Sequence, residues 1–196
     1  MARDIISSLR PALVMTLLFA LLLGILYPLA LTGVGQFVFP HQANGSLIVE
    51  DGKIVGSELL AQGFASDRYF HARPSAAGKG YDPLASGGSN LGPASQALHD
   101  RVARDLKSLG AGAPGLPVPS DLVTASASGL DPDISPAAAL YQVARVAKAR
   151  GLGKARLEAL VADVTTQPLL GFIGEPRVNV LLLNRQLDRE SATSRQ

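Results

Sequence analysis

Residues 11–31 read PALVMTLLFALLLGILYPLAL, twenty-one residues without a charged side chain. At about 1.5 Å of rise per residue, a helix of this length crosses a hydrocarbon core of about 30 Å. No other stretch of the chain is comparable, so the sequence predicts one membrane span followed by a water-soluble domain. Arg3 and Arg10 precede the span with Asp4 as the only acid, and the next basic residue is Lys53. The positive-inside bias places the N-terminus in the cytoplasm and the domain outside. A cleaved signal peptide is the competing reading. Its apolar region is about 7–15 residues, followed by a small-x-small site. Here the stretch is longer, Tyr27-Pro28-Leu29 occupies that place, and Gly33-Val34-Gly35 is a poor substitute. We expect an uncleaved anchor: a cytoplasmic N-terminus over 1–10, a transmembrane helix over 11–31, a soluble domain over 32–190 and a tail over 191–196.

The 196 residues carry a net charge of +2, too little for nucleic-acid binding. There is no cysteine, hence no disulfide framework and no thiolate metal site. Charge is uneven: residues 32–140 hold seven Lys/Arg against ten Asp/Glu, and residues 141–196 hold nine against five. Ordinary solvated faces explain this, and a mildly acidic surface facing a cation-handling partner is the functional alternative.

Within the span, Ala12, Thr16, Ala20 and Gly24 recur every four residues, and Pro28 continues the series. Such a face lets another helix approach closely. The opposite face, with Leu13, Leu17, Leu18, Leu21, Leu22 and Ile25, suits the lipid bilayer.

Beyond the span, Asp51-Gly52 between Ser46–Glu50 and Lys53–Gly56 is a type I′ hairpin signal. A loop rich in Gly and Ser follows Tyr69–Ser75. Leu98, Val102, Leu106 and Leu109 then lie on one helical stripe that Gly110 stops. Residues 111–119 form a Pro/Gly connector, and 121–126 read as a short strand. Ser135-Pro136 reads as N-cap and first turn of a helix to Arg150 before Gly151. Leu157, Leu160, Val161 and Val164 mark a helix ended by Pro168. Pro176 opens either a last helix carrying Val180, Leu183 and Leu187 or a buried strand over 178–183. The fold class is therefore a single transmembrane helix plus an α+β extracytoplasmic domain, a small sheet or hairpin with several packed helices.

Six segments in order carry a family resemblance. They are Gln42–Leu47 (QANGSL), Tyr69–Ser75 (YFHARPS), Ser86–Pro93 (SGGSNLGP), Asp121–Ser126 (DLVTAS), Gly129–Pro136 (GLDPDISP) and Gly174–Leu181 (GEPRVNVL). Behind one N-terminal span, this set resembles the C subunit of the Kdp potassium-transporting ATPase over nearly the whole chain. Ser126-Ala127-Ser128-Gly129 departs slightly from the family's Ser-Gly-Ser-Gly. The resemblance implies a non-catalytic, single-pass subunit of a bacterial inner-membrane complex, with its domain in the periplasm. Its implied partners are a channel-like potassium-translocating subunit and a P-type ATPase subunit, with a very small accessory membrane subunit as a further candidate. Its implied roles are assembly, high-affinity uptake and action as a catalytic chaperone for ATP use. ATP and K+ are then handled by the complex, with no cofactor of the chain's own.

The residues themselves point away from catalysis. There is no Asp-Lys-Thr-Gly phosphorylation site. Gly153-Lys154 is half a Walker A motif, but Ala155 replaces Ser/Thr and Lys148 stands where the first Gly belongs. Ser86, Gly87, Gly88, Ser89 and Asn90 resemble the signature loop of ABC ATPases and are the candidate nucleotide-binding residues. The alternative is a structural turn or partner contact, with Gly87 and Gly88 supplying positive φ. His41, His71 and His99 share no metal spacing, and no Gly-x-Ser-x-Gly elbow occurs. His71 is expected as a hydrogen-bonded strand residue. Asp82, Asp121, Asp131 and Asp133 serve either turns or cation attraction, and Arg73 and Arg177 either loops or partner carboxylates. Beside the pump-subunit reading stands a freestanding anchored binding or enzymatic domain.

Overall fold

A computed structural model of the chain describes residues 2–110 and 115–193, and side chains over 7–110 and 115–190. Residues 111–114 of the expected connector and 194–196 of the expected tail lie outside the described residues. The chain forms two compact units, Met1–Ser57 and Glu58–Gln196.

The first unit begins with α1 (Ala2–Leu21), a π-helical turn (Leu22–Leu26) and α2 (Tyr27–Val38). The apolar stretch over 11–31 thus lies inside one longer helix. Its portion Ser7–Val38 is long and apolar enough to cross a membrane, and none of its most apolar window is buried within the chain. The π turn has an identifiable cause. Pro28 has no N–H to give Gly24, and its ring would crowd that carbonyl. The chain widens just before it, with the Tyr27 N–H reaching Leu22 O.

The QANGSL motif then turns helix into strand. A short helix α3 (Pro40–Ala43) ends at Asn44, whose Nδ2 donates to Pro40 O at 2.6 Å and to Gln36 Oε1 at 3.1 Å. The expected hairpin follows as β1 (Leu47–Glu50) and β2 (Lys53–Ser57). Asp51 and Gly52 take φ of 49° and 76°, the pair of left-handed residues a type I′ turn requires. Ser57 Oγ donates to Gly45 O at 2.7 Å, tying the end of the hairpin to its start.

The second unit packs helices on a small antiparallel sheet. Its helices are α4 (Gln96–Gly110), α5 (Pro136–Arg150), α6 (Lys154–Val164) and α7 (Val180–Thr193). The strands β3 (Asp133–Ile134), β4 (Thr165–Thr166) and β5 (Arg177–Asn179) run in the order β3-β5-β4. Val146, Leu157, Leu160, Val161, Val178, Leu183 and Leu187 are buried at its centre with Phe70. Ser135 caps α5 as expected, its Oγ accepting the Ala138 N–H at 3.0 Å, and Gly151 closes it at φ 68°.

Some expectations need correction. Residues 121–126 are not a strand. Ser120–Leu122 is a 3₁₀ turn, Leu122 and Val123 are buried, and Asp121 Oδ2 accepts the Ser135 N–H at 2.7 Å. Helix α6 stops at Val164, short of Pro168, because two β-branched threonines follow and Pro168 biases Gln167 away from helix. The Val178–Leu183 alternatives both hold in part. Arg177–Asn179 is the central strand, and the chain enters α7 at the next residue.

Candidate functional site

The segment Tyr69–Ser75 is irregular, with bends at Tyr69 and Arg73 and no strand assigned, so His71 is not a strand residue. Two side chains take the place of a neighbouring strand. Asn184, on α7 and 1% exposed, accepts from Phe70 N at 2.8 Å and donates to Phe70 O at 2.9 Å. Gln142, on α5, does the same for His71, at 2.8 Å and 3.0 Å. Each primary amide offers one acceptor and two donors, matching the bond pair of a ladder. Arg145 adds bonds to Asp67 O and Tyr69 O. The His71 ring bonds Ser66 O at 3.1 Å, and burial, with Arg145 nearby, holds its pKa below the ordinary histidine value.

Further along, Ser75 is a hub. Its Oγ donates to Gly129 O at 2.6 Å and accepts from the backbone N–H groups of Tyr81 and Ala77. The Tyr81 hydroxyl returns to Arg73 O at 2.8 Å. This closed loop lies against residues 126–129, and there the Ser86–Asn90 segment is held. Gly87 N–H donates to Ser128 O at 2.9 Å, and Ser86 Oγ to the same oxygen at 3.0 Å. A Cβ on Gly88 would sit 3.1 Å from Ala127 O. The glycines at 87 and 88 do not supply positive φ, contrary to expectation. Asn90 does, at 52°, and Gly88 permits a close backbone approach instead. Gly129 is the tightest point, at φ 68° with Ala77 and Gly87 packed over the place of its missing Cβ.

A cleft of about 640 Å3 opens beside these loops, lined by Arg73, Asp121, Asp131, Asp133, Glu175 and Arg177 among others. Its charges serve the fold. Arg73 pairs with Asp131 at 3.0 Å and also reaches Thr124 O and Oγ1. Arg177 pairs with Asp133 at 3.2 Å. Asp131 Oδ1 accepts the Asp133 N–H, and Asp82 Oδ1 accepts the Leu84 N–H, as turn-forming aspartates do. Burial raises the pKa of Asp133, against the pull of Arg177. The structure thus joins Arg73, Asp131, Asp133 and Arg177, while His41 and His99 lie elsewhere in the chain, outside this cluster. Among the described residues, no group of three or more His, Asp or Glu is placed to hold a metal ion.

On the span, Ala12, Thr16 and Ala20 lie on α1, and Gly24 sits inside the π turn. In an α-helix, four residues overshoot one turn by about 40°, so a period-four stripe drifts. A π turn needs more than four residues per turn and bends that drift back. The four small residues stay closer to one line than an unbroken α-helix would keep them.

One feature escaped the reading of the sequence. Leu169, Leu170, Phe172 and Ile173 are 68%, 75%, 75% and 51% exposed. They form a closed turn in which Ile173 N donates to Leu169 O at 2.9 Å and Leu169 N to Ile173 O at 3.1 Å. Leu170 and Gly171 are both left-handed, at φ 55° and 81°. A leucine in that conformation costs about 1–2 kcal/mol. The signal was available: an apolar run broken only by Gly171, between Pro168 and Gly174.

Comparison with known proteins places this architecture. A family model described as "KdpC: K+-transporting ATPase, c chain" matches residues 9–189. The chain is 59% identical to the potassium-transporting ATPase KdpC subunit of Caulobacter vibrioides (strain NA1000 / CB15N) over 184 residues, covering 93% of each chain. It is 58% identical to the KdpC subunit of Gemmatimonas aurantiaca over 191 residues, 96% of each chain. With that of Bradyrhizobium diazoefficiens it shares 51% over 199 aligned positions, covering 95% of this chain and 99% of the relative. With most of the exposed apolar helix and most of the folded unit that follows it inside the matched region, the chain belongs to the KdpC family, the c chain of K+-transporting ATPases.

Proposed function

We propose that this chain is a non-catalytic subunit of an ATP-driven potassium uptake complex, anchored in the bacterial inner membrane with its N-terminus in the cytoplasm and its domain in the periplasm. The observation that carries the reading is the Ser7–Val38 helix, whose apolar window has no cover within the chain. Lipid covers one face, and the line of Ala12, Thr16, Ala20 and Gly24 packs on a helix of a partner subunit. The folded unit holds the channel-like and P-type ATPase subunits together and binds one conformation of the cycle preferentially, acting as a catalytic chaperone. A very small accessory membrane subunit is an additional neighbour. The chain carries no cofactor of its own, and ATP and K+ are handled by its partners.

The Ser86–Asn90 loop is a brace in this reading, supported by the engagement of Gly87 N–H and Ser86 Oγ with Ser128 O. Nucleotide contact by the same loop is the alternative, and ATP titration of the full chain separates them. Saturable micromolar binding lost in Gly88→Ala would establish the contact.

The first experiment is a mild-detergent pull-down with a tag after Gln196. Co-purification of a P-type ATPase and a polytopic channel-like subunit in fixed proportion supports the proposal. Recovery of the chain alone, from membranes containing both, favours a freestanding anchored domain using the 640 Å3 cleft. A reporter fused after Gln196 tests the orientation, and a cytoplasmic signal would reverse it.

A further inference from the structure

The apolar turn at 169–173 adjoins a groove of about 380 Å3 lined by Pro136, Leu140, Val161, Ala162, Gln167 and Pro176, with Glu158 also at its wall. Gln167 and Pro176 flank the turn in sequence, so the β4–β5 connection that carries the finger also supplies part of the groove wall, with α5 and α6 supplying most of the rest. Leu140 is 48% exposed on it. Large contiguous apolar surfaces are uncommon on monomeric proteins and mark contacts.

We propose that this surface docks a protein partner, a sister subunit of the complex, whose facing side offers an apolar pocket for Leu170 and Phe172 and a basic rim. The proposal rests on the subunit reading above. The occupant follows from charge and composition. The exposed charges next in sequence to the groove and finger residues are the carboxylates Glu158, Asp163 and Glu175 and one guanidinium, Arg177, whose charge is paired with Asp133 at 3.2 Å. The turn itself holds no Lys, Arg, Tyr or Trp. Segments that insert at a lipid headgroup layer carry basic residues on the polar side and Trp or Tyr at the interface. An acidic border repels an anionic leaflet and complements a basic protein surface. The turn is also rigid, closed by paired backbone bonds, so little ordering is required on docking.

The test uses the full chain, tagged after Gln196, in membranes with its partner subunits. Leu170→Asn/Phe172→Ser removes the apolar tip while asparagine keeps the left-handed backbone at little cost. The co-purifying sister subunits are expected to fall at least tenfold relative to the unaltered chain, with the thermal midpoint of the purified variant not lowered. In parallel, a photo-crosslinking amino acid at position 172 is expected to attach to an extracytoplasmic segment of one of those co-purified subunits. Equal recovery with the variant overturns the docking surface and leaves the subunit reading intact. Crosslinking to lipid alone, or to a second copy of this chain, also overturns it. Failure of the unaltered chain to recover any sister subunit overturns the subunit reading and this proposal together.

Discussion

Placing a methyl group on Gly129 separates two costs that usually travel together. Gly129 and Gly151 share a φ of 68°, but their surroundings differ. A Cβ at 151 meets nothing within 4 Å, whereas at 129 it would lie 2.6 Å from Ala77 N, 2.8 Å from Ala77 Cβ and 2.8 Å from Gly87 O. Gly151→Ala therefore carries only the left-handed strain, about 1–2 kcal/mol. Gly129→Ala adds an overpacking cost of about 1–3 kcal/mol, for a total of about 2–5 kcal/mol. Against a typical domain stability of about 5–15 kcal/mol, that is a large share. For a unit of 139 residues, Glu58–Gln196, one kcal/mol moves the midpoint by about 3–5 °C. Gly151→Ala should then melt about 3–10 °C lower and Gly129→Ala about 6–25 °C lower. The assay is far-ultraviolet circular dichroism of the full chain in detergent, where the span stays helical and the loss of signal reports the second unit. Midpoints for the two variants within about 2 °C of each other would refute the reasoning, since the crowding of loops 75–88 and 126–129 would then carry no energy.

Other outcomes follow from the same structure. Asn184→Ala strands the buried Phe70 N–H and C=O at once and should cost about 2–5 kcal/mol in denaturant unfolding; a loss under about 1 kcal/mol would mean water takes over both bonds. For His71, the folded pKa is lowered, so the unfolded chain binds more protons below the ordinary histidine value. Stability is full above about pH 6.5 and falls as pH drops toward the depressed folded value, and His71→Gln should flatten that slope in a pH series of melts. Pro28→Ala restores the missing N–H and should let the Leu22–Leu26 turn return to α geometry. The residues before it then rotate by about 100° relative to those after it. The chain has no cysteine, so a single-cysteine accessibility scan reads that rotation directly, and an unchanged pattern would exclude Pro28 as the cause.

Much of the fold was legible because the signals were local. The span, the Asp51-Gly52 turn, the Ser135 cap and the Gly151 stop each depend on a few neighbouring residues and their own backbone preferences. The misread parts depend on distant ones. Tyr69–Ser75 looks like a strand, and its bonding needs are met as in a strand, but by amides at 142 and 184. No periodicity announces such a partner. The 121–126 segment has β-favouring residues, yet the Asp121 contact to Ser135 N bends it. Around the candidate site, Arg73 and Asp131 were each visible as loop residues, but their pairing across 58 positions was not. Gly88 was singled out for its conformation, when what matters is the backbone that passes over it.

The Asn184 clamp also bears on how the protein is made. It joins residues 114 positions apart, and α7, which carries it with Leu183 and Leu187, comes last in chain order among the described elements. At about 5–20 residues per second, the stretch from Glu58 to Gln196 takes roughly 7–28 s to emerge. Through that interval the span can already be in the bilayer, while the second unit still lacks the helix that closes its core. Helix-to-helix encounters inside the membrane can therefore precede any contact made by the folded unit. In the proposed complex, assembly would then be ordered in time: the anchor would find its neighbours first, and the domain would dock onto a partner already at hand.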